Sequence, residues 1–307
     1  MKFPRLLPVL KDTFAGWWQD KAPMLGAALA YYTVLALAPV VILTAPIAGA
    51  IFHNSAAARH RIVMEFEELI GKPGADAVGT VLNAGQGAAT PGVFGTTVGL
   101  IVLMFGASGV FVNLQESLDA IWHVAIKPGK AAFLGVLRKR FLSFAMVLGI
   151  CFLLLVSLII SAGLASLRDY AQGDLKQTAL AWTIAQEVVS LTVITVLFAM
   201  IYKILPDVTV PWKDVWMGAA IAAGLFSLGR FAIGTYLGRS LLVRSYGAAG
   251  SLVALLVWVY YSAQILYLGA EFTRAWSARV GDRIVPEPAA QRVNGAGNPK
   301  PKRGDED

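Results

Sequence analysis

Four polar side chains, Tyr260, Gln264, Tyr267 and Glu271, recur at i, i+4, i+7 and i+11 in an otherwise apolar run. In a helix that spacing draws a single polar stripe. A second group, Asn113, Gln115, Glu116 and Asp119, closes another apolar run just before Trp122, with Asn113 and Glu116 on a shared face. Amide, phenol and carboxyl groups lined up in this way could bind and pass a proton, a cation or a polar solute. They could equally hydrogen-bond one helix to the next, at roughly 0.6–2 kcal/mol per contact. Tyr31 and Tyr32 add two phenols to a run that also carries Pro39 and Pro46. Proline removes a backbone donor and kinks or breaks a helix, and broken helices line substrate sites in transporters. The candidate polar pathway is therefore Tyr31, Tyr32, Asn113, Glu116, Gln264 and Glu271.

Two further ionisable residues, Glu187 and Arg230, interrupt apolar runs. Arg230 falls roughly 24 Å into its run at the helical rise per residue, and Glu187 falls at a similar depth in the preceding run. A short connection through Pro206 and Pro211 makes the two runs antiparallel neighbours. Glu187 and Arg230 are thus expected to form an ion pair, with outward snorkelling of Arg230 alone as the alternative. Arg230 and Glu271 belong at opposite membrane faces, so they cannot share one charged site. Signatures of enzymes are missing: there is no nucleophile elbow, no phosphate-binding loop and no HExxH. The histidines, His53, His60 and His123, divide between the two sides and suit surface roles, and Cys151 is the only cysteine. No catalytic residue, metal site or cofactor is expected.

The elements that position these groups follow from composition. Of 307 residues, 57% are hydrophobic and only 15% charged, where an ordinary globular domain carries about a quarter charged residues. A spanning helix needs about 20 apolar residues. Six stretches qualify: Gly26 to Phe52, Val93 to about Leu118, Phe141 to about Leu164, Ala181 to Tyr202, Val215 to Leu237 and Gly247 to about Phe272. Backbone groups in hydrocarbon must bond within their own segment, so these are helices. Of the 26 Lys and Arg residues, eighteen fall in the N-terminal arm, the second and fourth connections and the C-terminal tail, and seven fall on the other side. The positive-inside rule then places both termini in the cytoplasm. The expected fold is an all-α polytopic bundle of six transmembrane helices. It comprises a cytoplasmic amphipathic arm (1–22), a transmembrane domain (23–280) and a disordered, polar cytoplasmic tail (281–307).

The arm places Leu6, Leu7, Leu10, Phe14, Trp17 and Trp18 at helical spacing, the pattern of a helix lying in the membrane interface. Residues 61–70 suggest a short helix outside, followed by an irregular, Gly- and Ala-rich stretch to Gly92. Gly95 with Gly99, and Gly234 with Gly238, have the spacing that lets helices approach closely. The net charge of +7 is explained by juxtamembrane Lys and Arg at an anionic leaflet, so the bilayer is the expected partner and no nucleic acid is required.

Several local patterns resemble the YihY/BrkB inner-membrane family, long labelled ribonuclease BN-like. They are residues 27–32 (AALAYY) with Leu37-Ala38-Pro39, residues 114–122 (LQESLDAIW), residues 246–251 (YGAAGS) and residues 268–273 (LGAEFT). The resemblance runs over about residues 10 to 280. It implies a six-helix protein of the bacterial inner membrane. The ribonuclease label does not carry over, because a nuclease needs clustered metal ligands or an equivalent acid–base site and the sequence supplies no such motif. The leading expectation is a transporter or exporter of a small solute or lipid-like molecule. A non-transporting protein of envelope maintenance is the alternative, and a membrane-bound ribonuclease follows behind both.

Overall fold

A computed structural model describes residues 6–36, 63–64, 75, 79, 109–126, 178–239, 250–281, 284–286 and 290–293. Helix α1 is Leu6–Gln19, α2 is Ala22–Ala36, and α3 comprises residues 109–121. Strand β1 is Val124–Ile126, α4 is Thr178–Ile204, β2 is Val208–Thr209 and α5 is Trp212–Arg239. Helix α6, Gly250–Arg279, leads to strands β3, Val285–Pro286, and β4, Ala290–Arg292. Residues 63–64, 75 and 79 are also helical.

Three segments of the described residues are long and apolar enough to cross a membrane: Ile184–Ile204, Trp212–Ala232 and Leu252–Arg279, with mean hydropathies of 2.1, 1.4 and 1.7. They match the fourth, fifth and sixth stretches read from the sequence. Helix α2 covers the start of the first stretch and α3 the end of the second. The third stretch lies outside the described residues, as do Pro39, Pro46, Gly95, Gly99, Cys151 and most of the connection between the first two stretches. The helices wear their large apolar side chains outward: Ile184, Val188, Leu191, Leu228, Phe231, Leu252 and Leu256 are all exposed. Small residues fill the inside, among them Ala219, Ala222, Ala223, Ala254, Ala263 and Ala270. Apolar surface of that extent is stable against lipid, and small residues let helix backbones approach.

The chain divides into two compact units. The first comprises residues 1–20, 118–225 and 268–307, and the second residues 21–117 and 226–267. In the first unit α1 docks on the last turns of α6 through Val9, Phe272 and Ala275, flanked by Met217, Ile221 and Trp276. Its docked face is Val9, Thr13 and Gly16, while Leu7, Phe14 and Trp18 point outward. That outward apolar face is what an interfacial helix offers to lipid. Helices α5 and α6 pack closely at Gly218, where an added Cβ would lie 3.0 Å from the Gly269 carbonyl oxygen and collide with the Thr273 hydroxyl. Tyr202 of α4, fully buried, stacks on Phe198 and meets Trp122 edge-on at 6.2 Å.

Three connections of this unit are stitched together. Strand β1, which follows α3, pairs antiparallel with β4, which follows α6. Strand β2, in the turn from α4 to α5, pairs antiparallel with β3. The same turn is held by Asp119, whose Oδ1 accepts the Asp207 backbone N–H at 2.8 Å. Lys203 donates to the Val210 carbonyl at 2.6 Å and lies over the Trp212 ring. The molecule is thus mostly helical rather than wholly so. Within the tail, Val285–Pro286 and Ala290–Arg292 form short strands. They pair through their backbones with β2 and β1, which are remote in sequence.

In the second unit, Gly109 of α3 faces the Tyr32 ring of α2, 3.5 Å from where a Cβ would stand. Gly26 of α2 makes room for the Gln264 amide, which donates to the Ala22 carbonyl at 3.3 Å. Phe226 and Trp258 meet edge-on at 5.7 Å.

Candidate functional site

Helices α1 and α3 both end on a residue in the left-handed region, Lys21 and His123, each with φ of 54°. A non-glycine residue there costs about 1–2 kcal/mol, and such strain concentrates at functional sites. At Lys21 one helix gives way directly to the next: Asp20 N–H still donates to the Gly16 carbonyl at 2.8 Å, and the Lys21 carbonyl already accepts from Met24 at 2.8 Å. This fixes Asp20 at the tip of α1. At the end of α3, His123 N–H donates to the Ala120 carbonyl at 3.1 Å, and the His123 carbonyl accepts from Val293 at 2.9 Å. The C-terminal segment therefore holds the histidine backbone in place.

Helix α6 supplies Glu271 and Arg274, three residues apart and so on one face. Their side chains complete a cluster with Asp20 and His123. Arg274 Nη2 lies 2.6 Å from Glu271 Oε2, and Nη1 lies 3.1 Å from Asp20 Oδ2. His123 Nε2 stands 3.0 and 3.1 Å from the two Asp20 oxygens. Arg274 Nη1 reaches Nδ1 of the same ring at 3.1 Å and Nε2 at 2.9 Å. With the proton on Nε2, that nitrogen donates to Asp20 and Nδ1 is left to accept from Arg274. Burial is steep across the cluster, with Glu271 at 0%, Asp20 at 10% and Arg274 at 23% side-chain exposure. Among the described residues neither Glu271 oxygen has a well-aligned hydrogen-bond donor, despite the short approach of Arg274. Glycine at position 16 is what admits the group, since a Cβ there would collide with Arg274 Nη2 and Glu271 Oε2.

Burial alone would raise the Asp20 carboxyl. The His123 hydrogen bond and the Arg274 charge are among the causes that outweigh it and hold the group below its ordinary value of 3.8. On the outer side of α1, the Arg279 guanidinium bonded to Asp12 lowers that carboxyl too. Among the described residues no group of three or more His, Cys, Asp or Glu could hold a metal ion. The cation in the midst of these carboxylates is Arg274. A cavity of about 440 Å³ opens beside the cluster, lined by His123, Arg274, Ser277 and Arg292 over Trp122 and Val208.

The residues of the candidate pathway have mixed surroundings. Glu271 is fully buried, and Gln264 and Asn113 are half-buried, each with a buried side-chain oxygen that lacks a hydrogen-bond partner among the described residues. Glu116 is exposed, and the buried polar residues of α3 are instead Gln115, Ser117 and Asp119. Tyr31 and Tyr32 are exposed, with rings edge-to-face at 5.9 Å. Glu271 belongs to the first unit and the other five to the second. Glu187, exposed, belongs to the first unit and Arg230, half-buried, to the second. Sequence reasoning missed Asp20, His123 and Arg274 as site residues. Neither Asp20 nor Arg274 was singled out, and His123 was read as a surface residue. The i, i+3 spacing of Glu271 and Arg274 was the available signal.

A profile of the family described as "Virulence factor BrkB" matches residues 13–294. A UPF0761 membrane protein of Tolumonas auensis is 25% identical over 83% of this chain and 81% of its own length. UPF0761 membrane proteins of Alkalilimnicola ehrlichii and Rhodospirillum rubrum are 27% and 29% identical over 81% of this chain. The chain spans only about half the length of the latter two, 54% in each case. No solved structure matches it. With its apolar helices and named membrane relatives, this is an integral membrane protein, and the chain belongs to the virulence factor BrkB family.

Proposed function

We propose that the protein is a transporter or exporter of a small solute or lipid-like molecule in the bacterial inner membrane, with Glu271 as its charge-carrying group. One observation carries the reading. Glu271 is fully buried on an apolar helix, ion-paired to Arg274, and both its oxygens lack well-aligned donors among the described residues. Ionisable groups within membrane helices are costly and mark ion or substrate pathways. In the second unit, side-chain oxygens of Gln264 and Asn113 are buried without hydrogen-bond partners among the described residues, and are acceptors that a proton, cation or solute would satisfy.

The topology proposed is six spans with both termini in the cytoplasm. The Lys and Arg distribution supports it. So does the stitching of β1 to β4 and β2 to β3, which gathers the second connection, the fourth connection and the tail, three segments assigned to that side. We propose no enzymatic role. The test is flux in proteoliposomes holding the purified full chain, with a panel of ions, small solutes and fluorescent lipids. Movement of at least one panel member above empty liposomes is expected. If none moves, the transport reading fails and the envelope-maintenance alternative takes its place.

A further inference from the structure

The His123 ring is pinned at its backbone and open at its edge. The residue sits in the left-handed region, its N–H bonded to the Ala120 carbonyl and its own carbonyl taken by Val293. Its side chain is 33% exposed and lines the cavity of about 440 Å³, which gives the ring access to water. Among the described residues, the charged groups around it are Asp20 of α1, Glu271 and Arg274 of α6, and Arg292 of β4 on the same cavity. With the ring neutral, the two carboxylates outnumber the Arg274 guanidinium by one negative charge. An imidazole is the side chain whose charge ordinarily changes between about pH 5 and 8, and one proton on this ring balances the count.

We propose that His123 is a proton-operated positioning residue for Arg274, and through Arg274 for Glu271. The neutral ring donates from Nε2 to Asp20 at 3.0 Å and offers Nδ1 to Arg274 Nη1 at 3.1 Å. The imidazolium keeps the bond to Asp20 but turns Nδ1 into a donor. A cation then faces the guanidinium with no acceptor between them, and like charges at this range repel. The ring cannot retreat, because its backbone is held on both sides. Arg274 can, because its side chain is long and two carboxylates already lie within reach of it. Protonation therefore moves the guanidinium off the ring and toward Glu271, and deprotonation shares it among three partners again. The consequence for Glu271 as charge carrier rests on the transport reading, whereas the switch itself is read without flux.

The experiment is NMR of the full chain in maltoside micelles, with histidine and arginine nitrogens isotopically labelled, titrated from about pH 8 to about pH 5. The rings are those of His53, His60 and His123, and His123→Gln, which offers a like donor and acceptor without titrating, identifies the third. The expected result is a ring that passes from the Nε2–H tautomer to imidazolium while one arginine Nη signal shifts at the same midpoint. That arginine shift should be absent from His123→Gln. Asp20→Asn, which removes the counter-ion of the imidazolium, should move the shared midpoint to lower pH by about one unit. The wild-type spectra decide even where a variant fails to fold: if no ring titration is accompanied by an arginine shift, the proposal is overturned. An arginine shift that persists in His123→Gln overturns it too, as does a midpoint that Asp20→Asn leaves unmoved. Absent flux with this titration intact sinks the transport reading alone, and flux without the titration sinks the switch alone.

Discussion

Arg274→Gln is the sharpest perturbation of the cluster. The guanidinium stands 2.6 Å from a fully buried carboxyl and 3.1 Å from an Asp20 oxygen that is 10% exposed. Removing one partner of a buried ion pair leaves charge without compensation, at a cost of about 3–5 kcal/mol. Glutamine keeps most of the volume, so packing loss adds little. Glu271→Gln alone removes the buried charge and is expected to cost less, because Arg274 retains Asp20 and His123. The double variant is expected to be about 2 kcal/mol more stable than the sum of the single effects, since contacting charges couple on this scale. The assay is urea unfolding in maltoside followed by tryptophan fluorescence, with the eight tryptophans as reporters. A single-variant cost under about 1 kcal/mol, or additivity within about 0.5 kcal/mol, would refute the reasoning.

Other expectations follow from particular contacts. The Asp20 carboxyl lies below its ordinary value in the folded chain. In that range the unfolded state binds more protons, so the stabilisation is present above pH about 4 and is lost on further acidification; Asp20→Asn should flatten the acid limb of a plot of Tm against pH, and an unchanged limb would contradict this. Gly218→Ala should cost about 1–3 kcal/mol by overpacking, because the new methyl meets the Gly269 backbone and the Thr273 hydroxyl; unaltered urea unfolding would argue against that helix contact. Arg292→Cys in a Cys151→Ala background should react with an impermeant maleimide in inverted vesicles and not in right-side-out ones; the reverse labelling would invert the proposed topology.

What the sequence disclosed depended on whether the signal was local. Length and hydropathy located both ends of α4 and α5 and the start of α6 to within about three residues, because each segment's apolar content is its own, while α6 runs seven residues past its expected end at Phe272. The arm was legible as a helix, but its docked side was not. Its large residues marked the lipid face, while docking uses the unremarkable Val9, Thr13 and Gly16. Glu271 stood out as a carboxyl in an apolar helix. Its companions did not, since Asp20 and His123 reach it only through two left-handed turns that no composition signals. The strands of the tail were hidden for a related reason. Ala290–Arg292 has little strand character, and only its partner Val124–Ile126 makes it a strand.

The most direct measurement of the central claim compares proteoliposomes containing wild type with those containing Glu271→Gln, matched for protein content and thermal stability. The account predicts solute- or lipid-linked flux in the wild type that falls at least about tenfold in the variant, a loss of about 1.4 kcal/mol or more. Equal flux in the two would contradict the assignment of Glu271 as the charge-carrying group.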